Sequence, residues 1–257
     1  MSSEIVYRIR ELDPDIIPPS TKRMNISEQG GSKIVAIGRP GTGKSTLISS
    51  IIYEKSHIFP VGMVMSGTED SNHHYSASMF PSSFVYNSLE KDKIEDFIKR
   101  QKLAKEHLPN PWAVLVIDDL MDDPKLLTDK LFQNIYKMGR HYKMLFFLGL
   151  QYCLDIRPNI RVNVDGAFIF REANIKIRKS IWENFASIVG DFSTFCSIMD
   201  QITDDHTALY IHNAGSSNKI EDCVFWYKAK PVPKEFKLGC QEYWKFHEDR
   251  FDPNHIK

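Results

Sequence analysis

Residues 38 to 45 read GRPGTGKS, and the run before them, KIVAIG (33 to 38), is apolar and ends on glycine. Three glycines, a lysine and a serine in the spacing GxxxxGK[ST] make a loop whose backbone N–H groups turn inward around an anion, in dihedrals that a side chain would block. Gly38, Gly41 and Gly43 supply that freedom, with Arg39, Pro40 and Thr42 between them. Lys44 is placed to reach the β- and γ-phosphates, the Ser45 hydroxyl to meet Mg²⁺, and Thr46 opens the following helix, whose N-terminus adds its positive end. A glycine-rich turn with a surface lysine is the competing reading. It does not explain why a buried-type strand precedes the loop and a helical pattern (Lys44 to Glu54) follows it.

Outward from the loop, apolar runs alternate with helical patterns. VGMVMS (61 to 66) reads as a strand with the polar exit SGTEDSNHHYSAS. Residues 89 to 107 carry Ile94, Phe97, Ile98 and Leu103 among charges, an amphipathic helix. WAVLVIDDL (112 to 120) is a strongly apolar strand ending in two aspartates. A helix over Lys125 to Gly139 leads to KMLFFLGLQ (143 to 151) and then to GAFIF (166 to 170). Helical segments over 174 to 201, strands at TALYIH and CVFWYK, and a charged tail complete the chain. Buried strands with long crossovers predict a mostly parallel α/β sheet with helices on both faces, the architecture of P-loop NTPases of the RecA/ASCE type. Ligands in such sheets bind at the carboxyl ends of the strands. Residues 1–30, with Pro18, Pro19, Gly30 and Gly31 and a strand-like piece at Ile5 to Ile9, read as an arm; 31–257 read as the ATPase domain with a C-terminal extension.

Composition limits the partners. Lys+Arg and Asp+Glu balance at 33 each over 257 residues, so no global basic field holds the chain to nucleic acid, and any DNA contact is a local patch. Cys153, Cys196, Cys223 and Cys240 form no C-x-x-C pair, which argues against zinc ribbons and a secreted disulfide framework. No run of roughly 20 apolar residues is present to span a bilayer, and the N-terminus lacks a signal-peptide core. A soluble protein of a reducing compartment is expected.

Asp118 and Asp119 end their strand where the phosphates of a P-loop site collect. The first acid is suited to Mg²⁺ and the second to the proton of an attacking water; capping of the next helix is the alternative. Gln151, polar at the end of LFFLGLQ, is placed to orient that water or sense the γ-phosphate, or is an ordinary strand end. Arg140 precedes the same strand. Eight residues span roughly 26 Å at about 3.3 Å each, so Arg140 lies beyond reach of its own nucleotide and, in a ring, next to the neighbour's. His73 and His74 beside Glu69 and Asp70 read as a solvated loop rather than a metal site. Arg157, Arg161 and Arg171 line a DNA channel or form a solvated face. Trp226, Tyr243, Trp244 and Phe246 read as packing.

A P-loop (Walker A), a strand ending in two acids (Walker B), then arginine, apolar strand and glutamine resemble the FtsK/HerA superfamily of ring ATPases that pump DNA. Over Lys33 to Glu172 the chain is similar to the genome-packaging ATPases of large nucleo-cytoplasmic DNA viruses, of poxvirus, iridovirus and algal-virus type, including the SGTEDSNHHY and RVNVDGAFIF stretches, and the second stretch puts Arg161 and Asn163 first for a coupling role. The resemblance implies phosphate contacts at Gly43 and Lys44, Mg²⁺ at Ser45 and Asp118, catalytic water at Asp119, a sensor at Gln151 and an arginine finger at Arg140. Bacterial pumps usually carry glutamate where Asp119 stands, and they have DNA-guiding domains that this chain lacks. The implied function is ATP-driven packaging of double-stranded DNA by a homo-oligomeric ring, a pentamer or hexamer, working with capsid or inner-membrane proteins in the host cytoplasm or the virion. A small-molecule P-loop kinase and a nucleotide-gated scaffold are the competing functions.

Overall fold

The strand that feeds the phosphate loop, β2 (Ser32–Ile37), is buried along its whole length and has a strand on each side. The computed structural model describes residues 8–22, 25–120, 130–215 and 217–252. Among the described residues nine strands form one sheet: β1 (Arg10–Glu11), β2, β3 (Val61–Ser66), β4 (Val85–Tyr86), β5 (Ala113–Asp118), β6 (Met144–Leu150), β7 (Gly166–Ile169), β8 (Thr207–His212) and β9 (Val224–Lys228). Their order across the sheet is β1-β9-β8-β7-β2-β6-β5-β3-β4. All neighbours are parallel except β7 with β8 and β8 with β9. The expected mostly parallel sheet is therefore present, extended on one side by an antiparallel pair.

Why the central strands lack polar alternation follows from the layers. Val35 and Ile37 face one core, with residues of α3 (Lys91–His107), α4 (Lys130–Met138), α6 (Ile175–Phe185) and α7 (Phe192–Ile202). Ile34 and Ala36 face the other, with Leu47, Ile48, Ile51 and Ile52 of α1 (Lys44–Glu54). Successive side chains of a strand point to opposite faces, so a sheet covered on both sides needs apolar residues at every position. Each fully buried Ile, Leu or Phe contributes about 1.5–3 kcal/mol. The remaining helices are short: α2 (Glu69–Asn72), α5 (Pro158–Arg161), α8 (Ile220–Cys223) and α9 (Gln241–Glu248).

Of the leading residues, those described pack on this same sheet. β1 pairs with β9, and Leu12 and Ile17 are buried in the α1-side core. Of the strand read at Ile5 to Ile9, residues 5–7 lie outside the described residues, and the observed strand is Arg10–Glu11. Residues 125–129 of the helix read over Lys125 to Gly139 also lie outside them. Among the tail aromatics, Tyr243 is buried with its hydroxyl on the Gly62 carbonyl, and Trp244 donates to the Leu238 carbonyl at 2.8 Å, which fits the packing role.

Candidate nucleotide site

Gly41 and Gly43 hold φ of 77° and 100°, the left-handed region that side chains disfavour, and Gly43 caps α1. Gly38 serves a different need from the dihedral freedom expected of it. Its φ is not positive, but a Cβ there would lie 2.6 Å from Thr42 Oγ1 and 2.9 Å from Phe170 Cβ, so glycine permits close packing. Lys44 is buried and donates to the carbonyls of Gly38 at 2.8 Å and Arg39 at 3.2 Å. A phosphate in the loop would offer that ammonium stronger, charge-assisted partners. The Arg39 guanidinium turns away to Glu172, with Nε at 3.2 Å and Nη2 at 2.6 Å from its two oxygens. Arg39 thus contributes backbone to the loop, and its side chain fastens the loop to the segment after β7.

Ser45 at the head of α1 donates to Asp118 Oδ2 at 2.6 Å, across 73 residues of sequence. Asp118 ends β5 and is 1 % exposed. Burial pushes its carboxyl above the ordinary value, while the hydrogen bonds from Ser45 and Tyr75 pull it back down. Its other oxygen has no hydrogen-bond partner among the described residues and faces Gly149 of β6, where a Cβ would fall 2.0 Å away.

Asp119 follows with φ of 54°, a left-handed conformation that Asp tolerates better than most residues. The turn leaves its carboxylate half-exposed, where Gln151 Nε2 donates to Oδ1 at 2.9 Å. Gln151 lies immediately after β6, the neighbour of β5 in the sheet. The P-loop, Asp118, Asp119 and Gln151 thus meet at the carboxyl ends of three adjacent strands. An open cavity of ≈ 510 Å³ there is lined by Gly41, Gly43, Lys44, Ser45, Thr46 and Asp119.

The oxygens present suit magnesium. A single buried carboxylate with one hydroxyl is too small a set to enclose an ion, and among the described residues no cluster of three His, Cys, Asp or Glu is placed to hold one. Mg²⁺ is usually held in this way, by one or two protein oxygens with substrate phosphates and water completing the shell.

Arg140 is not in this constellation. It sits in the 3-10 turn Gly139–Tyr142 before β6, its guanidinium paired with buried Asp165. A second open cavity, ≈ 780 Å³, lies at this amino end of the strands, lined among others by Gly30, Trp112, Arg140 and Lys143. Arg161 and Asn163 bond the nearby backbone carbonyls of Ile156 and Asn159, at 2.7 and 2.9 Å. Arg171 reaches the Thr203 carbonyl at 3.3 Å.

In the stretch 69 to 76 Asp70 and His73 are exposed, as a solvated loop requires, but Glu69 and His74 correct that reading. Glu69 is 3 % exposed and its carboxylate accepts from the N–H groups of Tyr75 (3.1 Å) and Ser76 (2.7 Å), folding the segment back on itself. His74 Nε2 lies 3.0 Å from Ser49 Oγ on α1. Tyr75, fully buried, donates its hydroxyl to Asp118 Oδ2 at 2.9 Å. Burial and the neighbouring Asp118 charge push the phenol well above its usual value, so it remains a donor. Nothing in the sequence singled out Tyr75; the one signal was an aromatic ring inside an otherwise polar stretch.

No protein-family model matches the chain. It is 46% identical over 246 residues to uncharacterized protein 088R of Invertebrate iridescent virus 3, covering 95% of this chain and 94% of that one. It is 45% identical over 260 residues to uncharacterized protein 075L of Invertebrate iridescent virus 6, covering 100% of each. Among solved structures it is similar to the genome packaging NTPase B204 from Sulfolobus turreted icosahedral virus 2 in complex with ATP-gammaS, with a TM-score of 0.56 at 16% identity over 77% of this chain and 97% of that chain. At that identity the likeness is one of fold. The chain has a P-loop NTPase fold and belongs to the iridescent-virus protein family of 088R and 075L.

Proposed function

We propose that this chain hydrolyses ATP as a member of a homo-oligomeric ring, pentamer or hexamer, and uses the work to move double-stranded DNA into a viral capsid. The observation that carries the reading is the pairing of Asp119 with Gln151 at 2.9 Å beside the Ser45–Asp118 contact. A carboxylate for the proton of water, an amide to hold that carboxylate, and a P-loop lysine together form a hydrolytic set. Ser45 and Asp118 would hold Mg²⁺, which when bound neutralises phosphate charge. Lys44 would supply positive charge at the β,γ bridge, and Asp119, held by Gln151, would take the proton from the attacking water, which Gln151 would help to orient. Arg140 acts across the subunit interface.

The packaging role is supported by the fold shared with B204 and by relatives encoded by iridescent viruses. No helix among the described residues is long and apolar enough to cross a membrane. In this reading the protein works at the viral assembly site in the host cytoplasm or in the virion, with capsid or inner-membrane proteins as partners.

The deciding experiment measures phosphate release with and without double-stranded DNA, and with nucleoside and nucleotide acceptors. Stimulation by DNA is expected. Phosphoryl transfer to an acceptor would make the chain a kinase, and absence of turnover in every condition would make it a nucleotide-gated scaffold.

A further inference from the structure

The ≈ 510 Å³ cavity that the P-loop and Asp119 line has a further wall of Asp205, His206, Lys228 and Ala229. This wall comes from β8 and β9, which lie on the opposite side of β2 from β5 and β6. In the order β9-β8-β7-β2-β6-β5, Asp118, Asp119 and Gln151 stand to one side of the P-loop strand and the Asp205–His206 turn to the other. A nucleoside triphosphate lying along this cavity from the acids across the P-loop brings its nucleoside to that wall.

The wall is built, not incidental. Asp205 and His206 have φ of 46° and 59°, two consecutive left-handed residues without a glycine, closed by Thr207 N–H donating to the Asp204 carbonyl at 2.9 Å. Two such residues persist only when their surroundings hold them. Asp205 is ion-paired with Lys228 at the end of β9. His206 Nδ1 lies 3.1 Å from the Thr42 carbonyl, and the ring packs on Gly43, where a Cβ would stand 3.5 Å from Nδ1. A carbonyl only accepts, so Nδ1 carries the hydrogen and, in the neutral ring, Nε2 is an acceptor without a covalent hydrogen. The far end is tied down too: Lys230 N–H donates to Ser50 Oγ on α1 at 2.8 Å.

We infer that the Asp205–His206 turn, with Lys228 and Ala229, is the nucleoside end of the site, and that His206 recognises the base or ribose of the bound nucleotide while bracing the P-loop through Thr42. The inference rests on the nucleotide reading given above. An imidazole offers a flat face to a purine, and Nε2 accepts a hydrogen from an exocyclic amine or a ribose hydroxyl. The His206–Thr42 bond makes the loop's shape and the grip on the nucleoside parts of one contact.

The test compares ATP with inorganic tripolyphosphate, which has the phosphates and no nucleoside, in equilibrium binding to the full chain. His206→Asn keeps a donor near Thr42 and removes the distal acceptor and the ring; His206→Ala removes both. In His206→Asn the affinity for ATP falls about tenfold, the worth of one well-placed hydrogen bond, while tripolyphosphate binds as to the wild type. His206→Ala weakens ATP at least as much. Unchanged ATP affinity in both variants, or equal losses for ATP and tripolyphosphate in His206→Asn, would overturn the assignment. Wild-type protein that binds neither ligand would remove the nucleotide reading itself, and this inference with it.

Discussion

Tyr75 and Ser45 donate to the same oxygen of Asp118, at 2.9 and 2.6 Å, so the acid that ends β5 is held from two directions before any ligand arrives. Both bonds favour the ionised carboxylate against burial, which works the other way. Tyr75→Phe removes one donor, and the Asp118 carboxyl then ionises at a higher pH. The acid limb of the hydrolysis profile is expected to move up by about one to two pH units, since a charge-assisted buried bond is worth about 1.5–3 kcal/mol and 1.36 kcal/mol corresponds to one unit. Above that limb the variant approaches wild-type turnover. An unshifted profile would reduce Tyr75 to core packing.

The same burial has a consequence for stability. Asp118 has a folded pKa raised above the ordinary 3.8. The folded chain therefore binds this proton more tightly than the unfolded one. The stabilisation from that proton is complete below the unfolded value and is lost as pH rises through the folded value. In metal-free and nucleotide-free protein, Asp118→Asn keeps an accepting oxygen and removes the titration. Its melting temperature should exceed the wild type's at pH 7, by about 2–4 °C for each kcal/mol relieved, with the advantage fading toward pH 4. A lower melting temperature at pH 7 would show that the two hydrogen bonds outweigh the desolvation.

Asp119→Asn separates the two acids. The amide keeps the shape and cannot accept a proton, so turnover should fall by about 10²- to 10⁴-fold while ATP and Mg²⁺ still bind. Isothermal binding with parallel phosphate release reads both. Loss of nucleotide binding in this variant would mean that the roles given to Asp118 and Asp119 are exchanged.

Much of this site was legible in the sequence because strand ends are legible. An apolar run that stops on a polar residue marks where a parallel strand meets its ligand edge, and Asp118, Asp119 and Gln151 stand at such ends. The two-residue strands β1 and β4 carry no periodicity to read. Tyr75 and Glu69 were hidden because a polar stretch folded onto a buried acid has the composition of a solvated loop. His206 lies 164 residues from Thr42, brought there by an antiparallel pair whose placement beside β7 is a tertiary fact, and its left-handed turn lacks the glycine that would announce it.

Arg140 carries the prediction that separates a ring from a monomer. Its guanidinium is held by Asp165, whose carboxylate also takes the N–H of Lys33 at 2.9 Å and lies 3.2 Å from Lys33 Nζ. The seven residues of β6 put about 23 Å between this turn and the phosphate edge, so Arg140 cannot serve its own nucleotide. Its side chain is 54% exposed, so the ion pair with Asp165 can yield to a stronger partner across an interface. Arg140→Ala should bind ATP normally and hydrolyse about 10³- to 10⁵-fold more slowly in the assembly, the worth of an arginine supplied in trans. Mixing it with Lys44→Ala protein under exchange should restore part of the activity, because one interface then joins an intact P-loop to an intact arginine. Arg140→Lys decides between a finger and a brace. A lysine keeps the charge for Asp165 but loses the planar fork that grips a phosphoryl group. Wild-type hydrolysis in Arg140→Lys, or no recovery on mixing, would leave Arg140 only the task of holding Asp165.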